Sequence, residues 1–536
     1  MSVVLKQLFV FTLVTVYLGD VARAAEPAKS ITVSITQEPR TLNTLSAESV
    51  SYTAQMLVHV NEGLLRYDGR RRLVGGAAER WEMDEKQLRF WLRPGAVWQN
   101  GEPVTAFDFI FAWRQLVDPT TASPTANLAS PIKNAKEILA GELPNDVLGV
   151  RANGPKELIV ELDHPCGWCL KLLTSSIFYP VNESFYDKAG NQYGTSSTTH
   201  LSNGAFKIEE WARGKLISLK KNPTYWRAKE VDLEQIRFSY IGAESKTQLN
   251  LFRSNDLSLA LLDRDTLQSA MDLGYRIRTF PTGHLYHIQF SHVPGMLSAN
   301  ENLRKAISLV IDKDELVDKI VASPGTRIND SMFHDWLSVG DTTYVGARPP
   351  KKHRPDITAA KEFMALARKE LNLPDRPRLT ITVNDSNLYR RVAEYLQSKL
   401  SQHLNIDVAI DPQITQIMVK KWREGESDMV LTTWPVDVDD PMDQISFMGD
   451  TSFRKIFKGL YAGDDMANLF DKARNAVGQE QRLNAVDEVH HLFESKVTVI
   501  PLFETYGAAV TNRKIKGFVW QPVRGYADFR YVRITD

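Results

Sequence analysis

The sequence predicts an α/β protein of more than one domain, on the basis of a β-α-β pattern and of chain length. Residues 379–383 alternate between apolar and polar side chains as a strand does, and 406–410 follow a similar pattern. Between them lies a helix-length segment in which Val392 and Leu396 fall on one face. At 536 residues the chain is far longer than one hydrophobic core usually serves. We therefore expect two or three domains, at least one of which contains parallel strands.

The stretch that follows this unit ends in a loop rich in carboxylates. Residues 429–431 form an apolar run that predicts a buried strand, which ends near Trp434 and is followed by Asp437. Ligands of open α/β sheets bind beyond the carboxyl ends of the strands, so Asp437 is a candidate to hold a ligand cation beside an aromatic wall. An Asp-rich loop is also typical of a plain solvated turn, and we interpret Asp439 and Asp440 in that way.

The overall composition argues against two classes of partner. The chain has 65 basic and 65 acidic residues, so its formal net charge is zero. This balance removes any bulk electrostatic reason to expect nucleic acid or an anionic membrane as the partner. With 43% hydrophobic residues the composition is that of a globular protein.

The N-terminus has the pattern of a cleavable secretion signal. Lys6 supplies a charged start, residues 8–18 an apolar core, and Ala22 and Ala24 a small-x-small cleavage site. The apolar core is too short to cross a bilayer as a helix, and no later run approaches the roughly 20 residues required. No cysteine follows the cleavage site, where a lipoprotein would carry its anchor. We expect residues 1–24 to be removed and the mature protein to be free in the periplasm.

The chain contains two cysteines, Cys166 and Cys169. In an oxidising compartment they are expected to form a local disulfide. They also lie between a predicted strand at 158–162 and a predicted helix start at 170–173, which is the setting of a thioredoxin-like redox pair. A structural staple and a thiol-disulfide oxidoreductase are therefore both open.

Other groups of side chains give weaker indications of chemistry. His490 and His491 lie in a helical pattern whose apolar positions indicate core packing, and neighbouring residues on a helix point in different directions. We therefore predict no metal site there. The sequence contains no Walker loop, no GxSxG and no HExxH motif. Apart from the cysteine pair, nothing suggests an enzyme or a cofactor.

Several segments in register resemble a known family. The first of them is WQNGEPVTAFDF, which starts at Trp98. It contains a predicted helix start with a capping box at Thr105 and Asp108. Further along the chain come SNGAF from Ser202, KNPTYW from 221 and LRKAISLVID from 303. Together they resemble the large solute-binding proteins of ABC importers, specifically the oligopeptide and dipeptide binders, over nearly all of the mature chain.

This resemblance implies a two-lobed periplasmic-binding-protein clamp of the large, three-domain type with mixed β-sheets. The chain would leave the first lobe near residues 283–286 and return to it near 504–507. The implied divisions are lobe I at 25–60, 185–283 and 505–536, an additional domain at 61–184 attached to lobe I, and lobe II at 284–504.

The resemblance also implies a ligand and its site. In the family a short peptide lies as an extra strand between the lobes, and one aspartate receives its α-ammonium group. The family's pattern places that role on Asp437, next to Trp434. The residues implied to line the rest of the site are Val436, Ser49, Val50 and Thr125. A monomer that serves an ABC permease of the inner membrane is expected.

The carboxylate end of the implied site departs from the family. Leu431 and Trp422 stand where the oligopeptide binders have arginines, Pro435 stands where a residue with an N–H is common, and Thr125 replaces a tyrosine. The same fold with a non-peptide ligand, such as a sugar, a haem or a metal chelate, is therefore the alternative.

Overall fold

The computed structural model describes residues 29–35, 37–46, 52–240, 242, 244–521, 523 and 526–535. The predicted secretion signal lies outside the described residues, as do two of the predicted site residues, Ser49 and Val50. In the part of the chain that is described, no helix is both long and apolar enough to cross a membrane.

The first part of the chain forms two separate four-stranded sheets and the helices that cover them. Its strands and helices are β1 (Ser30–Ile35), α1 (Tyr52–Val60), β2 (Leu65–Tyr67), β3 (Leu73–Gly75), β4 (Ala78–Met83), β5 (Gln87–Leu92), α2 (Ala106–Val117), α3 (Ala135–Leu139), β6 (Val150–Ala152), β7 (Glu157–Glu161), α4 (Cys169–Leu172), α5 (Glu183–Ala189), β8 (Phe206–Ala212), β9 (Leu216–Lys221) and β10 (Gln235–Tyr240).

The first of these sheets has the order β1-β10-β9-β8, and β1 runs parallel to β10. Alternate residues of β1, namely Ile31, Val33 and Ile35, are buried in the core beneath it. The second sheet has the order β4-β5-β7-β6 and is antiparallel throughout. The two sheets fall in the segments predicted as lobe I and as the additional domain.

Helix α2 packs into the core of the second sheet. It begins with a capping box in which Thr105 and Asp108 bond reciprocally, as predicted. Phe109 and Trp113 on one face are fully buried. The indole nitrogen of Trp113 donates to the carbonyl of Phe178 at 3.0 Å, which satisfies the polar atom that burial removes from water.

Most of the remainder of the chain surrounds one large mixed sheet, whereas its C-terminal strands form two small sheets that pack in the core beneath the first sheet. Its strands and helices are α6 (Ser245–Arg253), β11 (Leu259–Leu262), α7 (Arg264–Asp272), β12 (Ile277–Phe290), α8 (Glu301–Leu309), α9 (Lys313–Glu315), β13 (Arg327–Ile328), β14 (Ser338–Val339), β15 (Thr342–Thr343), α10 (Tyr344–Ala347), α11 (Ile357–Leu371), β16 (Arg378–Asn384), α12 (Asn387–Leu404), β17 (Asp407–Gln413), α13 (Thr415–Glu424), β18 (Met429–Pro435), α14 (Met442–Gly449), α15 (Thr451–Ile456), α16 (Asp464–Asn475), α17 (Gln479–Lys496), β19 (Val499–Thr511), β20 (Ile515–Lys516), β21 (Val519–Gln521), β22 (Tyr526–Asp528) and β23 (Arg533–Ile534).

The strand order of the large mixed sheet is β11-β19-β12-β18-β16-β17. Strands β16 and β17 are parallel and are connected by α12, so the predicted β-α-β unit is confirmed. Strand β18 is parallel to β16 and antiparallel to β12. The carboxyl ends of β16, β17 and β18 therefore lie at the same edge of the sheet.

The two longest strands, β12 and β19, run antiparallel to each other, and their pairing is irregular at two points, the second of which lies between Tyr286 and His287. At the first, the register shifts between Pro281 and Leu285, and Gly283 has a φ of +75°, a conformation that favours glycine. This first irregularity lies at the predicted crossing between lobes. That the lobes turn about this point stays a prediction.

The cysteine pair forms a disulfide between β7 and α4. The Cα atoms of Cys166 and Cys169 are 5.5 Å apart, and both residues are buried. The helix that follows is a single short turn, and a Cβ added to Gly167 would lie 2.7 Å from the Cδ of Arg482. A catalytic pair needs an exposed thiolate, so the burial of this loop against Arg482 favours a structural role.

Removing the disulfide is expected to have a small effect on stability. Since the bridge closes a loop of four residues, the chain-entropy relation assigns it about 2 kcal/mol. The variant Cys166→Ala/Cys169→Ala should therefore unfold in a calorimetric scan less than about 4 °C below the wild type, because in a chain of this length 1 kcal/mol shifts Tm by about 1–2 °C. Wild type treated with a reductant serves as the control and should show the same decrease in Tm as the variant. A larger decrease in both samples would show that the disulfide stabilises contacts beyond its own loop.

Candidate ligand-binding site

The candidate site begins where β18 ends. The backbone of Trp434 pairs with Leu285 of β12, and that of Pro435 pairs with His284. The loop that follows, residues 436–441, is anchored by Val436 and Val438, which are both buried in the apolar core. Asp437 lies between these two anchors and is half-buried.

The backbone of the loop is held by the helix that follows it. The amide of Asp437 donates to Oδ2 of Asp443 at 3.2 Å. Asp443 is in the first turn of α14, where a carboxylate is favoured by the helix dipole. The structure thus places Trp434 and Asp437 at the carboxyl end of β18, as the strand pattern predicts, and Val436, which the resemblance implies, lies between them.

Thr125 lies in a different part of the chain from the Asp437 loop. It is half-buried and directly precedes a 3-10 turn at Ala126–Ala129, within the segment predicted as the additional domain. Its assignment to the ligand site stays a prediction.

The interpretation of Asp439 and Asp440 as solvated carboxylates is wrong. Asp439 is 4% exposed and Asp440 is 0% exposed. Oδ1 of Asp439 accepts from the amide of Ser338 at 2.9 Å. Oδ1 of Asp440 pairs with the guanidinium of Arg482, and its Oδ2 lies 3.3 Å from Nζ of Lys171. Both aspartates are therefore buried because cationic or amide donors on other parts of the chain bond to them.

Lys171 connects this loop to the disulfide-bearing segment. Its Nζ donates to the carbonyl of Ser338 at 2.6 Å, to the Ser338 hydroxyl at 2.8 Å and to the carbonyl of Asp439 at 2.8 Å. Lys171 belongs to α4, whereas its acceptors belong to the segment predicted as lobe II. The loop 436–441 therefore lies where two distant parts of the chain meet.

A second cationic side chain, from another part of the chain, contacts the same loop. Arg71, in the loop between β2 and β3, donates from Nη2 to the carbonyl of Trp336 at 3.1 Å. The same atom lies 3.7 Å from Oδ2 of Asp439. The Arg71 guanidinium is 5.5 Å from the centroid of the Trp336 ring, within the range of a cation–π contact.

The two buried aspartates have opposite pKa shifts. Burial raises the pKa of Asp439, and the nearby charges of Lys171 and Arg71 only partly oppose it. Burial also acts to raise the pKa of Asp440, but the charges of Arg482 and Lys171 outweigh it and hold that pKa below its usual value. Asp440 is therefore the ionised partner of the two cations at neutral pH.

The carboxylate of Asp437 is the feature of this loop that bears on ligand binding. Asp437 presents a half-buried carboxylate at the edge of the sheet, at a place that a second part of the chain covers. In the described ranges, no group of three or more His, Cys, Asp or Glu side chains is placed to hold a metal ion. A half-buried carboxylate of this kind is a suitable partner for an ammonium group that is removed from water.

Comparison with known proteins identifies the family. A family model described as "Bacterial extracellular solute-binding proteins, family 5 Middle" matches residues 72–454. The dipeptide-binding protein DppE of Bacillus subtilis (strain 168) is 26% identical over 484 residues, which cover 89% of this chain and 87% of that protein. The oligopeptide-binding protein OppA of the same strain is 24% identical over 526 residues, 96% of this chain and 94% of OppA.

A solved structure gives the same result for the fold. The substrate-binding domain of an oligopeptide ABC transporter from Bacillus anthracis str. Ames matches with a TM-score of 0.76 and 28% identity, over 95% of this chain and 99% of that one. The fold thus defines a two-lobed solute-binding protein. The chain belongs to the bacterial extracellular solute-binding proteins of family 5. The predicted family and fold class are confirmed.

Proposed function

We propose that the protein captures short peptides between two lobes and delivers them to an ABC permease of the inner membrane. The observation that carries the proposal is the position of Asp437, a half-buried carboxylate at the carboxyl end of β18 in a loop that contacts two parts of the chain. Two of the relatives that match over most of the chain are a dipeptide-binding and an oligopeptide-binding protein, which supports a peptide ligand.

The amine end of the peptide is assigned to Asp437. An α-ammonium group removed from water needs a carboxylate partner, and Asp437 lies just past the last paired residue of β18. The backbone of Val436 would then bond to a peptide that lies as an added strand, a mode that ignores side-chain identity. Trp434, Ser49, Val50 and Thr125 are proposed to line the same site.

Oligopeptide binders of the resembled family have arginines at two positions, which are Leu431 and Trp422 in this chain. We do not assign the carboxylate end of the peptide to either position. Leu431 is fully buried in the lobe II core. Trp422 is 5% exposed and packs against Phe447 and Phe457, with ring centroids 5.4 and 4.9 Å away. Both positions are filled by apolar packing, which supports recognition of the amine end without a fixed clamp for the carboxylate.

The place of action is proposed to be the periplasm. The apolar run at 8–18, followed by Ala22 and Ala24, is a pattern for export. An oxidising compartment would also keep the Cys166–Cys169 disulfide formed. We propose that the exported protein acts as a monomer.

The ligand can be identified directly. Mass spectrometry of the protein under native conditions, followed by release of what co-purifies, should show peptides of a few residues. Isothermal titration with the same synthetic peptides should then give saturable binding. If a sugar, a haem or a metal chelate is released instead and binds again on titration, the peptide assignment is overturned while the fold and family stand.

Ligand binding is expected to make the protein more compact. In a two-lobed clamp the lobes close on the ligand by rotation about the crossing strands, here near Gly283. Small-angle X-ray scattering should show a smaller radius of gyration when a saturating peptide is added. An unchanged radius, with binding verified by titration in the same sample, would contradict closure.

A further inference from the structure

The structure contains a cavity whose lining residues are distant in sequence from Asp437. This cavity, of about 580 Å³, is formed where the loop between β2 and β3, residues 225–231 and the C-terminal segment 517–533 meet. This volume is within the range of roughly 300–1,000 Å³ that is typical of small-molecule sites. Among the described lining residues the acidic one is Glu230, and the arginines are Arg66, Arg70, Arg227, Arg530 and Arg533.

Two of the arginines are buried and held in fixed positions. Arg66 donates to the hydroxyl of Tyr531, and its Nε lies 3.2 Å from Oε1 of Glu62. The Arg530 side chain donates three hydrogen bonds to Asp528, from Nε to Oδ1 at 2.9 Å and to Oδ2 at 3.1 Å, and from Nη2 to Oδ2 at 2.6 Å. The side chains of Arg66 and Arg530 are 7% and 11% exposed. They form a rigid, charged floor for the cavity.

The positive charges around the cavity outnumber the negative ones. Glu62 forms an ion pair with Arg66, Asp528 with Arg530 and Glu230 with Arg227. Arg70 and Arg533 are exposed, and among the described residues neither side chain lies within ion-pair distance of an acid. The pKa of Glu230 is lowered mainly by its hydrogen bond from Arg227, and that of Asp232 by its hydrogen bond from Lys29, while the more distant charge of Arg533 adds to both effects. Two guanidinium charges are thus in excess, and both belong to residues that line the cavity.

We propose that this cavity binds a phosphate group. A phosphate carries close to two negative charges and several acceptor oxygens, which matches the excess of two arginines better than a single carboxylate does. The planar guanidinium group forms paired hydrogen bonds to such oxyanions. Tyr531, whose hydroxyl lies between Arg66 and the carbonyl of Tyr67, also lines the cavity. The phosphate belongs either to a small soluble compound or to a phospholipid headgroup.

The first test uses inorganic phosphate as the probe. Isothermal titration at low ionic strength should show saturable binding to the wild type. The variant Arg70→Gln/Arg533→Gln should bind at least about tenfold more weakly, because each lost charge-assisted hydrogen bond is worth that much or more. The matched control is Arg513→Gln, which removes an exposed arginine of the same C-terminal region that does not line the cavity. Its affinity should change by less than about twofold.

The second test separates the two sources of phosphate. Wild type and variants are sedimented with vesicles of phosphatidylcholine alone or with added phosphatidic acid, which exposes a phosphate monoester. Sedimentation that requires phosphatidic acid and is lost in Arg70→Gln/Arg533→Gln identifies the headgroup, and phosphate binding without sedimentation identifies a soluble ligand. If neither probe binds, or if the control and the double variant behave alike, the proposal is wrong. Peptide titrations should be unchanged in both variants, so this outcome is independent of the peptide proposal.

Discussion

Replacing Asp440 by asparagine is expected to lower the free energy of unfolding by about 3–5 kcal/mol, because removing one partner leaves buried charges uncompensated. Asp440 is fully buried and lies between Arg482 and Lys171, whose side chains are 4% and 14% exposed. Asparagine keeps the shape of the side chain but not its charge, so both cations lose their counter-ion. Chemical denaturation followed by circular dichroism measures the change.

An exposed ion pair provides the control for this experiment. Asp375 is 94% exposed and lies 3.3 Å from Arg368. Asp375→Asn should change the free energy of unfolding by less than about 1 kcal/mol, since exposed pairs are screened by solvent. Equal effects of the two substitutions would mean that the buried cations relax into water when Asp440 is neutralised, which would contradict the prediction.

The effect of Asp440 should also depend on pH. Its pKa in the folded protein is below the ordinary value of 3.8. Its contribution is therefore fully present above about pH 3.8 and is lost as the pH falls through the lower folded value. The difference in stability between wild type and Asp440→Asn should accordingly be constant near neutral pH and shrink below pH 3.8.

The second large effect is expected at the ligand. If Asp437 pairs with the α-ammonium group of a peptide, Asp437→Asn should weaken binding by about 2–5 kcal/mol, or roughly 30- to 5,000-fold in Kd. An N-acetylated peptide should bind the wild type poorly and should lose little more on Asp437→Asn, because the pair is already absent. Calorimetric titration of free and acetylated forms of one peptide measures both effects.

Asp385 serves as the matched control for Asp437. It is an exposed carboxylate directly after β16, at the same edge of the sheet. Asp385→Asn should leave peptide affinity within about 1 kcal/mol of the wild type. If acetylation does not weaken binding to the wild type, the assignment of the amine end to Asp437 is wrong even if peptides are the ligand. Asp440→Asn is unsuitable as a control because it breaks a buried ion pair.

The parts of the fold that could be predicted from the sequence are those set by short-range periodicity. Apolar residues at fixed spacing predict helix α2 and the unit β16-α12-β17. A capping box within four residues also predicts where α2 begins. The position of Asp437 at the end of β18 follows from the same strand pattern. These features need only neighbours in sequence, so local side-chain chemistry determines them.

The burial of Asp440 could not be predicted in this way. One of its partners, Lys171, is 269 positions away, and the other, Arg482, is 42 positions away. A lysine after a cysteine pair and an arginine in a surface-like helical pattern carry no sign that they meet one aspartate. The carboxylates of this loop look alike in sequence, and only the packing of distant segments distinguishes the half-buried Asp437 from the buried, ion-paired Asp440.

The loop 436–441 holds the proposed ligand carboxylate and the acceptors of Lys171 within a few residues. If α4 lies on one side of the cleft and β18 on the other, the free energy of the Lys171 contacts and that of peptide binding both favour the same arrangement. Thermodynamic linkage then makes them reciprocal: each strengthens the other by the same factor. A change that draws Lys171 away from the loop would accordingly reduce the affinity for the peptide.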